Sequence, residues 1–180
     1  MDAQSIAGFL AQIFSFQELA TLQFYGFLFL MGSLTVASLS DLKRMAAQRE
    51  FAEVWLLFSL AAFAYDFLRL SGGLQPNVFF VKWLMIGLFA LVSWRYFGFI
   101  LSLSEMDLTA ACAALSLLSP LLMVAYYLLL LSLNLLMKPF LKRFGDGISI
   151  PFLPVILAAS LAVLLVARLP ALPGLAEILH

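Results

Sequence analysis

Two aspartates stand where a carboxylate is costly. Asp107 lies at the mouth of a run, residues 108–137, that holds no charged residue at all. Asp41 closes an earlier uncharged stretch, residues 19–40. Charged groups in the apolar part of a membrane cost several kcal/mol, about 2.5–3.5 on insertion scales, so ionisable residues there tend to pair or to mark function. Two carboxyls brought close cannot both ionise cheaply, so they share a proton and titrate as a unit. Such a pair can hydrolyse a peptide bond without a metal: the ionised member takes a proton from water and the protonated member polarises the scissile carbonyl. Competing hydrolytic sets are missing. The chain has one histidine, His180, and one cysteine, Cys112, so there is no Ser/His or Cys/His pair of clear design, no metal-ligand cluster and no internal disulfide. No cofactor is expected.

Each aspartate also has a structural reading. Ser104-Glu105-Met106-Asp107 fits a Ser-x-x-acid capping pattern, in which a carboxylate serves the unpaired N–H groups of a helix start. Asp41 ends a helix, where the dipole disfavours an anion, unless it caps a short helix over residues 42–50. Both acids extend small-residue faces: Ala37 and Ser33 count back by fours from Asp41, and Ala110, Ala111 and Ala114 follow Asp107. Small residues at this spacing let membrane helices approach closely, which would bring the carboxyls together if the faces meet.

Composition indicates the scaffold that holds these acids. The 180 residues are 64% hydrophobic and 11% charged, with mean hydropathy +1.08 and zero net charge. Ordinary soluble domains are about half apolar and about a quarter charged. Lipid must therefore be the solvent for much of this surface, and no basic patch invites nucleic acid. Stretches near the roughly 20 apolar residues that a spanning helix needs predict an all-α polytopic membrane protein with about six transmembrane helices in one bundle. The predicted spans are 19–40, 54–70, 78–103, 107–119, 120–137 and 148–167, with Pro120 dividing the long uncharged run. Residues 1–17 suit an interfacial helix or a short ordered lead-in, and the whole chain reads as one domain. Lys43, Arg44 and Arg49 in the first loop and Lys138, Lys142 and Arg143 in the fifth outnumber Arg69, Lys82 and Arg168 opposite them. The positive-inside rule then puts the termini outside, the odd-numbered loops in the cytoplasm, and Asp41 and Asp107 together at the cytoplasmic face.

SLTVASLSDLKR (33–44) resembles the first catalytic motif of type IV prepilin and archaeal preflagellin peptidases, membrane aspartyl proteases of the Gly-x-Gly-Asp kind. SEMDLTAACAALSLLSP (104–120) is similar to their second motif, and IPFLPVILAASLAVLL (150–165) to the proline-rich start of the last helix in archaeal members. The pieces span most of the chain from about residue 30 to 167. Ser104 and Met106 replace the two glycines of the second motif, and Met45, Ala46 and Ala47 replace the usual continuation of the first. The resemblance implies Asp41 and Asp107 as the catalytic dyad of a multi-pass cell-membrane enzyme. It also implies cleavage of the leader of pilin-like or archaellin precursors at the cytoplasmic face, with Glu105 and Lys43 as candidate contacts for the leader. A catalytically inactive relative, or a non-enzymatic membrane bundle with an interaction or transport role, is the competing reading.

Other charged and aromatic residues read as structural. Asp66 and Arg69, three apart, can pair along one helix. Arg95 is expected to snorkel. Gly145-Asp146-Gly147 reads as a turn. Trp83, Trp94, Tyr96, Phe97, Tyr126 and Tyr127 read as lipid packing and interfacial belt.

Overall fold

The computed structural model describes residues 8, 11, 13, 20–44, 49–70, 72, 73, 75–94, 101, 103–141, 143 and 151–168. Among them are six helices: α1 (Thr21–Arg44), α2 (Arg49–Leu70), α3 (Pro76–Ser93), α4 (Glu105–Ser116), α5 (Pro120–Leu141) and α6 (Leu153–Arg168). The expected all-α class holds. Four of the helices, α1, α2, α3 and α5, are long and apolar enough to cross a membrane. α4 has 12 residues and α6 has 16, both short of the roughly 20 that a lone span needs.

Local chemistry sets the helix ends. Pro120 opens α5 at a position where a missing N–H costs nothing, so the predicted break in the uncharged run is present. Pro76 plays the same part in α3. α2 and α3 are joined through Gly73, whose φ of 106° is open to glycine and strained for other residues. Several boundaries move from their expected places. α1 runs through Asp41 to Arg44, because Leu42, Lys43 and Arg44 are good helix formers and cations suit a helix C-terminus. α3 stops at Ser93, about ten residues before the predicted end of its span. Trp94 is extended (ψ 134°), and the N–H of Leu103 donates to the carbonyl of Ser93 at 2.9 Å. An apolar run signals burial in lipid or protein but does not oblige the backbone to stay helical.

Packing follows residue size. α1 lies mainly along α6, α5 also along α6, and α4 along α2, with shorter contacts from α4 to α3, α6 and α1. α4 is thus the helix at the centre. Its Ala110, Ala111, Ala113, Ala114 and Leu115 are fully buried, and alanine both favours the helix and admits close neighbours. Phe27, Leu30, Leu34 and Ala37 form the inward stripe of α1, and Leu153, Ile156, Ala159 and Val163 that of α6. Gly26 lets α1 close on its neighbours: a Cβ there would meet Phe58 at 3.2 Å and Leu117 at 3.5 Å. Side-chain bonds also tie helices in pairs. Trp55, wholly buried, donates from Nε1 to Ser33 Oγ at 3.0 Å, and the Tyr127 hydroxyl donates to the Met85 carbonyl at 3.1 Å.

The outward faces are apolar as well. Phe29, Leu39, Leu57, Leu68, Phe80, Leu88, Leu128, Leu135 and Leu165 are all exposed. A helix in water carries polar residues on that side. An exposed apolar face around a packed core is what a helix bundle solvated by lipid presents.

Candidate active site

Asp107 occupies the third position of α4. Ser104, the N-cap residue, accepts from the Asp107 N–H through Oγ at 3.2 Å, and Asp107 Oδ2 accepts in return from Ser104 Oγ at 2.7 Å and Ser104 N–H at 3.4 Å. The capping box foreseen in Ser104-x-x-Asp107 is therefore complete.

Asp41 is placed differently from expectation. It does not terminate its helix and does not cap a following one; it sits in the last turns of α1, half-buried. Its carboxylate accepts backbone hydrogen bonds from Leu153 and Phe152. These residues begin α6, since the Phe152 carbonyl takes the first intrahelical bonds from Val155 and Ile156. A helix start offers unpaired N–H groups and the positive end of a dipole. Pro154 supplies no N–H of its own, which leaves the groups just before it to serve Asp41.

Asp107 lies within electrostatic reach of Asp41. It stands at the mouth of the bundle, outside the four long helices. Burial pushes its carboxyl from the usual 3.8 up to about 6, the Ser104 hydroxyl pulls it down, and the Asp41 charge adds to the upward push. Among the described side chains no cation pairs with either acid; the ion pairs there are Arg49–Glu53 and Lys82–Asp66. The small faces meet only in part. Ala37 is buried, but Ser33 turns to Trp55 on α2, and α4 lies chiefly along α2 rather than α1.

Glu105 and Lys43 are both exposed at the same end as the dyad. Met106 is half-buried and packs on the hydrophobic core. Ser104 is the residue whose importance to the site exceeds its reading as a cap, and the signal was its hydroxyl: a cap needs an acceptor, whereas this group also donates to the acid. The α6 N–H groups had a signal too, in the Pro151-x-x-Pro154 spacing of a helix start.

At the far end of α2 a different arrangement replaces the expected Asp66–Arg69 pair. Asp66 Oδ2 accepts from Lys82 Nζ at 2.6 Å and from Trp83 Nε1 at 3.2 Å, across to α3. Arg69 instead lies over the Tyr65 ring, 5.7 Å from its centre. The pairing across helices wins because both Asp66 and Lys82 are buried, and a buried charge needs a partner far more than an exposed one does. Two aromatic readings change as well. Trp83 is engaged with Asp66 and stacks edge-on against Phe63 at 4.9 Å, and Tyr126 is wholly buried in the core. Arg95, Tyr96, Phe97, Gly145-Asp146-Gly147 and most of residues 1–17 lie outside the described residues.

No group of three or more His, Cys, Asp or Glu side chains able to hold a metal occurs among the described residues. No family model, curated protein or solved structure matches the chain.

Proposed function

We propose that the protein is a membrane aspartyl endopeptidase, with Asp41 and Asp107 as a dyad sharing one proton. The observation that carries this reading is the neighbourhood of two carboxyls without a neutralising cation, each held at the start of a helix. In this reading Asp41, its carboxylate oriented by two backbone N–H donors, takes a proton from the attacking water. Asp107, whose affinity for its proton is raised, polarises the scissile carbonyl and then protonates the leaving amine. The substrate class comes from the motif resemblance: a pilin-like or archaellin precursor, cut between its basic leader and the apolar segment after it. Glu105 would attract the leader's cations, and Lys43 lies exposed beside the same mouth.

In this reading the chain is a multi-pass protein of the cell membrane with six helices in the bundle. α1, α2, α3 and α5 cross the bilayer, while α4 and α6 are sheltered by protein, with their first turns at the cytoplasmic mouth where water reaches the dyad. Met106 favours the second reading, an inactive relative, because its side chain fills space that glycine would leave to a substrate.

The test is processing of a co-expressed pilin-like precursor by wild type, Asp41→Asn and Asp107→Asn, followed as the mobility shift of the precursor. Either substitution is expected to lower cleavage by about a thousandfold while leaving a folded, membrane-inserted protein. Wild-type processing by both variants overturns the dyad, and no processing by wild type of any precursor offered favours the inactive relative.

A further inference from the structure

The two oxygens of Asp107 are not equivalent. Oδ2 accepts the Ser104 hydroxyl at 2.7 Å and the Ser104 N–H at 3.4 Å. The same hydroxyl oxygen accepts the Asp107 N–H at 3.2 Å with one of its two lone pairs, while its single proton is given to Oδ2. Capping alone asks only for that acceptor. The donation to the carboxylate is an addition that a cap does not need. A proton on Oδ2 would displace the hydroxyl's donation and weaken the acceptance from the Ser104 N–H, whereas a proton on Oδ1 leaves both bonds in place. We propose that Ser104 is a positioning residue that keeps Oδ2 unprotonated and so places the proton of Asp107 on Oδ1, the oxygen left free to meet a substrate carbonyl. The catalytic meaning of this placement rests on the peptidase reading; the placement itself does not.

The charged surroundings are few. α1 contributes Asp41, which acts on Asp107 directly, and the exposed Lys43. α2 brings Arg49, Glu50 and Glu53 to this end, with Arg49 and Glu53 paired at 3.5 Å and exposed. α6 contributes the N–H groups engaged with Asp41, and α4 itself adds the exposed Glu105. The described cation of α3, Lys82, is committed to Asp66. Ser104 is thus the group whose removal changes the proton of Asp107 without changing any charge.

Glycine separates the two roles of Ser104. It serves as an N-cap nearly as well as serine but carries no hydroxyl. Wild type, Ser104→Gly, Ser104→Thr and Asp107→Asn would be reconstituted in phospholipid vesicles. The Asp107 carboxyl band would be followed against pH by infrared difference spectroscopy, with Asp107→Asn identifying the band, and precursor cleavage would be measured over the same pH range. Ser104→Gly is expected to raise the Asp107 midpoint by about one pH unit, since a lost donor no longer favours the charged form. The alkaline limb of the cleavage profile should move up with it, with a maximal rate lower by about tenfold as the proton loses its fixed position. Ser104→Thr should restore both. An unchanged midpoint in Ser104→Gly, or a Ser104→Thr variant that behaves like the glycine variant, overturns the proposal. Wild-type cleavage by Asp107→Asn removes the peptidase reading instead, and the infrared midpoint still decides the role of Ser104.

Discussion

The two ends of the bundle treat buried carboxylates in opposite ways. At one end Asp66 has a dedicated cation, Lys82, at 2.6 Å and an indole donor as well, with both charged side chains only 7% exposed. At the other, Asp41 and Asp107 have each other and the starts of two helices. The magnitudes separate the two cases. Leaving one partner of a buried pair alone costs roughly 3–5 kcal/mol, whereas a helix start returns about 0.3–1 kcal/mol, or up to about 2 in sheltered geometry. Two helix starts offset one negative charge better than two, so Asp107 keeps its proton up to about pH 6. Asp66–Lys82 is chemically complete and has nothing left to do. Asp41 and Asp107 lack a cation among the described side chains, and in the proposed reading the proton of Asp107 is what acid–base chemistry uses.

Asp41→Asn and Asp107→Asn put this contrast under the greatest strain. Besides the loss of cleavage, neither is expected to lower the thermal midpoint, because each removes like-charge repulsion; a large drop in Tm would show that the acids are structural in the way Asp66 is. Lys82→Met should do the reverse, costing about 3–5 kcal/mol in a denaturation series while leaving cleavage per folded molecule unchanged. Adding Asp66→Leu should recover most of that stability, and failure to recover would mean that the pair contributes more than mutual neutralisation.

A pH series probes the same difference between the ends. Asp107 titrates near 6 in the fold against 3.8 for the ordinary side chain. The unfolded chain therefore gives up this proton first, so above about pH 6 the group costs stability, and the cost fades as pH falls from 6 towards 4. Across that window wild type should gain up to about 3 kcal/mol relative to Asp107→Asn. Cleavage should decline as pH rises through 6, when Asp107 loses its proton. The smallest expected effect is that of Trp55→Phe, remote from both ends, which keeps the ring and removes the bond to Ser33. It should cost about 1 kcal/mol with no change in the pH profile of cleavage.

What sequence made legible depended on how local the determinants were. The order and number of the described helices, the break at Pro120 and the capping box at Ser104 follow from short stretches read on their own, and the structure contains them. The nearness of Asp41 and Asp107 was inferred from small faces and the topology of the spans. Asp107 comes within electrostatic reach of Asp41, but much of the helix contact differs from that expectation: Ser33 turns to Trp55, and α1 lies chiefly along α6. Long-range partners were out of reach. Nothing near Asp66 in sequence announces Lys82 sixteen residues away in preference to Arg69, because the choice is made by burial that only the packed helices create. The end of α3 was overextended for a related reason. Residues 94–103 are apolar enough for a span, yet the backbone leaves the helix at Trp94 and returns as Leu103 to bond Ser93.

The hold of α6 on Asp41 has a consequence for how the molecule is made. Asp41 and Asp107 emerge from synthesis well before Phe152 and Leu153, whose N–H groups Asp41 requires. An insertion intermediate that ends after α5 would contain both acids and lack the donors that steady one of them. In the peptidase reading the site is therefore completed late, and a nascent chain holds both acids at the membrane face before the donors that steady Asp41 have been made.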